Sequence, residues 1–113
     1  MTHACHIDDV PLGEGRTVRI QGRRVAVFRT PTGWYAIDHV CPHSGGPLAD
    51  GIAADCSVIC PLHDRRFALD SGAPLGHEGP GVAAHRVEVR GDEVYVALGA
   101  REPVGSGRST RKG

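Results

Sequence analysis

HRVEVRGDEVYVAL, residues 85–98, decides the fold class. Apolar Val87 and Val89 alternate with charged neighbours, and after Gly91-Asp92 Val94, Val96 and Leu98 recur at every second position. A period of two puts alternate side chains on opposite faces of a strand, and a Gly-Asp step turns the chain. The stretch therefore predicts an antiparallel hairpin. The same signature recurs upstream. Residues 17–21 alternate, Gly22-Arg23 reads as a turn, and residues 24–29 continue as a second strand. Pro31-Thr32-Gly33 is another turn, followed by a strand over 34–38. Further strands fit 56–59 and 66–69, with a turn at Asp70-Ser71-Gly72. No segment sustains helical periodicity for three turns. The prediction is an all-β sandwich or barrel of short strands.

The 113 residues fit one domain with a small core, and 16 Gly with 8 Pro favour turns over long helices. Thirteen basic and thirteen acidic side chains balance, so charge gives no sign of a nucleic-acid or anionic-membrane partner. There is no apolar run near the roughly 20 residues a membrane span needs, and the N-terminus does not resemble a signal peptide. The expected location is the cytoplasm, where four cysteines are ligands or buried thiols rather than disulfides. Residues 1–100 are expected to form the domain. The polar, basic stretch 101–113 is expected to be a disordered tail.

Two segments break the strand pattern: VCPHSGGPL (40–48) and ICPLHDRRF (59–67). Each joins predicted strands and carries one Cys and one His, Cys41-x-His43 and Cys60-x-x-His63. Two loops meeting at one point could set four ligands around metal. A structural zinc site is one candidate, since zinc takes two Cys and two His. Zinc fingers, however, pair Cys with Cys and His with His by local spacing. The mixed pairs suit a two-iron centre with imidazoles on one iron.

This pattern resembles the Rieske family. The likeness extends over Cys41-Pro42-His43-Ser44-Gly45-Gly46-Pro47-Leu48, Gly51, and Cys60-Pro61-Leu62-His63 followed by residues 66–72, within about residues 4–98. It implies three stacked antiparallel sheets and a two-loop cluster-binding subdomain. It also implies one [2Fe–2S] cluster, held by Cys41 and Cys60 on one iron and by His43 and His63 on the other. Two neutral imidazoles in place of thiolates leave the oxidised site less negative and easier to reduce. The range is roughly −150 to +300 mV, against about −400 mV for plant-type ferredoxins. Respiratory members of the family carry an extra, disulfide-forming cysteine in each loop. Gly46 and Leu62 stand in those places here, and Asp64-Arg65 replaces the usual Gly-Ser, which predicts the low end of that range.

Other residues carry narrower expectations. Gly45 and Gly46 allow close backbone approach to sulfur, Pro42 and Pro61 stiffen the loops, and Leu62 shields the cluster or anchors its loop. Residues 71–74 are a candidate third covering loop. Asp64, Arg65 and Arg66 form a docking rim or a merely solvated edge. Cys56 is expected in the core of its strand, and His3, His6, His39, His77 and His85 at the surface. No substrate pocket, nucleotide motif or mononuclear iron triad is evident. The expected role is one-electron transfer between redox proteins, as a component that is not catalytic alone. Resemblance in residues 25–30, 41–51 and 82–89 points to the small subunit of assimilatory NAD(P)H nitrite reductase, and hence to nitrate assimilation. The alternatives are a Rieske-type ferredoxin of a ring-hydroxylating dioxygenase system and, from a different class, a zinc-stabilised interaction module.

Overall fold

The computed structural model describes residues 1–40, 46–54, 56–62, 65–76 and 79–99. Ten strands follow in order: β1 (Thr2–His6), β2 (Glu14–Ile20), β3 (Arg23–Thr30), β4 (Gly33–Asp38), β5 (Ile52–Ala54), β6 (Ser57–Ile59), β7 (Arg66–Ala68), β8 (Pro74–Leu75), β9 (Ala84–Arg90) and β10 (Glu93–Ala97). The only helical pieces among the described residues are two 3₁₀ turns, Ile7–Asp9 and Leu48–Asp50. The all-β expectation holds.

Six strands form one sheet in the order β1-β10-β9-β4-β3-β2, and four form a second, β5-β6-β7-β8. The three layers implied by the family likeness are thus partly fused. β1-β10-β9 and β2-β3-β4 join along a short seam, Ala36↔His85 and Ile37↔Ala84. The large sheet curls until its ends approach, and Gln21 Nε2 donates to Thr2 Oγ1 at 3.3 Å across the gap.

The strand β3 shows why the sheet packs on both sides. Val25 and Val27 face the barrel interior with Ile20, Ala36, Val94, Val96 and Cys5. Ala26 and Phe28 face outward into a second core with Ile37, Leu48, Ala49, Val58, Cys60, Phe67 and Leu69. All four β3 residues are fully buried, so the run VAVF serves two cores at once. Phe28 and Phe67, the largest side chains of the outer core, fix the small sheet against the barrel wall.

The small sheet belongs to an insertion. The chain leaves the barrel at Asp38 and returns at Ala84, and the Asp38 N–H donates to the Ala83 carbonyl at 3.0 Å. Everything between, including both candidate ligand segments, hangs from that point.

Several strand boundaries depart from the sequence reading. The first hairpin turns at Gln21-Gly22, one residue early, because both residues adopt positive φ (52° and 85°), as a type I′ turn requires. β1, β5 and β8 were not anticipated. Cys56 precedes β6 rather than lying in it, and is only half-buried. His85 and His39 are buried, not superficial. The proposed tail 101–113 lies outside the described residues.

Candidate metal centre

Of the four expected ligands, Cys60 is described; Cys41, His43 and His63 lie outside the described residues. What the fold does to the ends of both segments is nevertheless visible. At the first, Val40 and Pro47 form an isolated antiparallel bridge, and the Leu48 N–H donates to the His39 carbonyl at 2.8 Å. Val40 and Gly46, the residues that flank 41–45, are thereby fixed. At the second, the Cys60 N–H donates to the Arg65 carbonyl at 2.6 Å, beyond the β6–β7 ladder. Backbone pairing therefore ties together the described ends of both segments.

The two segments also touch. Cys60 is fully buried in the outer core. A methyl placed on Gly46 would stand 3.0 Å from Cys60 Sγ and 3.1 Å from Leu62 Cγ. Only a residue without a side chain lets the first segment lie this close to the sulfur of the second. The expected close approach at Gly46 is thus present. Leu62 covers the same spot while remaining 59% exposed, so it forms a partial lid at the surface. A buried sulfur donor under a glycine fits the cysteine ligation of an iron–sulfur cluster.

Beneath the first segment, His39 packs against the barrel wall. Its Nδ1 lies 3.3 Å from Thr17 Oγ1 and 3.4 Å from the Ala49 N–H. Burial, helped by the nearby Arg24 guanidinium, lowers its pKa, so His39 is neutral at physiological pH. At the candidate third loop, 71–74, the Val82 N–H donates to the Gly72 carbonyl at 2.9 Å. Arg65 is half-buried and Arg66 is exposed, while Asp64 and His77 lie outside the described residues.

The sequence reading missed one group at the base of the insertion. His85, fully buried, accepts the Gly99 N–H at Nδ1 (2.7 Å), so its neutral form carries the proton on Nε2 and donates to Asp38 Oδ1 at 2.9 Å. Asp38 also pairs with Arg23 at 2.8 Å. This network locks the strands at the insertion's exit and return. Nothing in a strand-edge Asp and an alternating His signals it; the partners are 47 residues apart.

The comparisons agree with this geometry. The model of the Rieske-like [2Fe–2S] domain matches residues 1–97. The ferredoxin subunit of 3-phenylpropionate/cinnamic acid dioxygenase from Escherichia coli K12 is 32% identical over 104 residues, covering 89% of this chain and 96% of that protein. A solved structure described as a putative NADH-dependent nitrite reductase small subunit from Mycobacterium tuberculosis superposes with a TM-score of 0.78 at 31% identity, over 84% of this chain and 91% of that one. The complex of reduced oxygenase and oxidised ferredoxin in carbazole 1,9a-dioxygenase contains a chain that superposes with a TM-score of 0.76 at 28% identity, over 88% of this chain and 94% of that one.

Proposed function

Because the chain belongs to the Rieske-like [2Fe–2S] domain family and is an electron carrier with one such cluster, we propose that it is the small electron-transfer subunit of an NAD(P)H-dependent nitrite reductase of the cytoplasm. Cys41, His43, Cys60 and His63 hold the cluster in this reading. When bound, the cluster accepts and releases single electrons. The protein's own work is to position and shield. Cys60 supplies a buried sulfur, Gly46 leaves room beside it, and Leu62 limits water at the rim. The burial of Cys60 beneath Gly46 supports Cys60 as a ligand, and the Cys41-x-His43 and Cys60-x-x-His63 motif supports the other three. Among the described residues no helix is long and apolar enough to cross a membrane. The redox partners are proteins: a reductase or large catalytic subunit.

Anaerobic purification tests the cluster. Two irons and two labile sulfides per chain, with the low average g of a His-ligated centre on reduction, are expected; zinc alone would sink the assignment. His43→Ala and His63→Ala should each abolish the visible spectrum, and Cys56→Ala should leave it intact. Reconstitution decides the partner. Nitrite reduction by a large subunit should depend on this chain. The ferredoxin reading is supported by the 32% identity with the E. coli dioxygenase ferredoxin subunit. It would replace the first if the chain drove only an aromatic-ring dioxygenase.

A further inference from the structure

A basic groove runs beside the first ligand segment. It has a volume of about 320 Å³ and is lined by Arg23, Arg24, Asp38, His39 and Val40. Val40 directly precedes Cys41 and is 40% exposed. The β2–β3 register sets Arg19 directly opposite Arg24. Their strand neighbours two residues on, Thr17 and Ala26, face the insertion, since Thr17 reaches His39 and Ala26 belongs to the outer core. Both arginines therefore rise from the face that carries the insertion.

Folding accounts for this pair only through one long contact, Arg19 Nη1 donating to the Gly22 carbonyl at 3.4 Å. Like charges directly opposite one another on a sheet destabilise it. Among the described residues, neither Arg19 nor Arg24 has an acidic side chain within ion-pair distance. Arg23 is matched by Asp38, which also serves His85. The groove and its edge thus hold three guanidinium groups against one carboxylate, in a chain whose formal net charge is zero.

We infer that the groove lined by Arg23 and Arg24, with Arg19 opposite Arg24 on the neighbouring strand, is a docking surface for an acidic segment of the redox partner, seated beside the segment that carries Cys41. The inference takes its purpose from the electron-carrier reading. A localised basic edge steers an acidic partner and fixes its register, acting mainly on association rate and salt dependence.

The probe is a hexaglutamate peptide titrated at low salt into ¹⁵N-labelled full-length protein. Amide shifts are expected at residues 19–24, vanishing at about 0.3 M salt as screening shortens to a few ångströms. Arg19→Glu/Arg24→Glu should weaken binding at least about tenfold, and Arg86→Glu, an exposed β9 position, should not. Arg19→Gln/Arg24→Gln gives the same comparison if the charge-reversed protein unfolds. In stopped flow, the double variant should also be oxidised more slowly by ferricyanide and faster by tris(phenanthroline)cobalt(III). Peptide shifts elsewhere, undiminished binding by both double variants, or tighter binding to phosphatidylserine vesicles or DNA than to the peptide would overturn the inference. Shifts at residues 19–24 in protein that lacks iron would support the groove while sinking the electron-carrier reading.

Discussion

Gly51→Ala is the sharpest test of how the insertion is built. Gly51 follows the 3₁₀ turn Leu48–Asp50 and leads into β5. A methyl there would lie 2.2 Å from the Ile59 carbonyl oxygen, 3.0 Å from Val58 Cγ2 and 3.1 Å from the Leu48 oxygen. Ordinary contact begins near 3.4 Å, so the chain must separate from β6 by about 1.2 Å. That opening breaks one or two β5–β6 hydrogen bonds, at about 1 kcal/mol each. Overpacking adds about 1–3 kcal/mol. The total is about 2–5 kcal/mol, or a fall in Tm of roughly 10–25 °C for a domain of this size. Gly13→Ala is the control. Gly13 has φ +85° with nothing within 4 Å of the added methyl, so only left-handed strain of about 1–2 kcal/mol applies. Urea unfolding of both variants, with slopes compared to confirm two-state behaviour, measures the difference. Because Ile59 adjoins Cys60, Gly51→Ala should also lower iron content per chain. If Gly51→Ala costs no more than Gly13→Ala, the tight β5–β6 packing described above is wrong.

Gly46→Ala should behave differently: stability falls by about 1 kcal/mol or less, since Leu62 can swing aside, but the visible circular dichroism and midpoint potential should shift, as the methyl presses on Cys60 Sγ. Unchanged spectra would count against the contact. Asp38→Ala should cost about 1–3 kcal/mol because it removes the carboxylate 2.9 Å from the buried His85 Nε2. Arg23→Gln removes only an exposed pair and should cost under about 1 kcal/mol; urea titration giving the reverse order would refute the network. For Cys5, burial first and then Asp9 and Glu93 raise the thiol pKa. The folded state thus holds that proton longer than the unfolded one, and the associated stability is present below the ordinary thiol value and lost as pH rises through the raised one. Stability of the parent should therefore decline above about pH 9, and Cys5→Ala should flatten that decline. In the same range iodoacetamide should label half-buried Cys56 before buried Cys5, and the opposite order by mass spectrometry would contradict the burial.

The hairpin of β9 and β10 was legible because alternation and turn are local signals. So was β3, whose apolar run has room for no other reading once its neighbours alternate. β1 was not legible: THACH has no apolar pattern, and it is a strand because the edge of β10 takes it up, Thr2↔Val96 through His6↔Glu93. β5 and β8, with three and two residues, are too short for any period to show. Cys56 was misplaced because alternation with Val58 and Cys60 was extended one residue past the start of β6. In the site, the sequence marked Gly46 as a place of close approach to sulfur, and its contact with Cys60 Sγ bears that out. The sequence could not show that His39 and His85 lie buried under the insertion, since their partners Thr17, Ala49, Asp38 and Gly99 come together only in three dimensions.

The Asp38–Ala83 clasp has an engineering consequence. The insertion's two ends are neighbours in one ladder, so the barrel needs no span of its own to bridge them. Residues 39–83 therefore behave as a cassette. A relative's corresponding stretch could be exchanged at this clasp without moving the frame, provided the graft brings apolar side chains to cover Ala26, Phe28 and Ile37. Cofactor properties and frame stability could then be varied separately within one small chain.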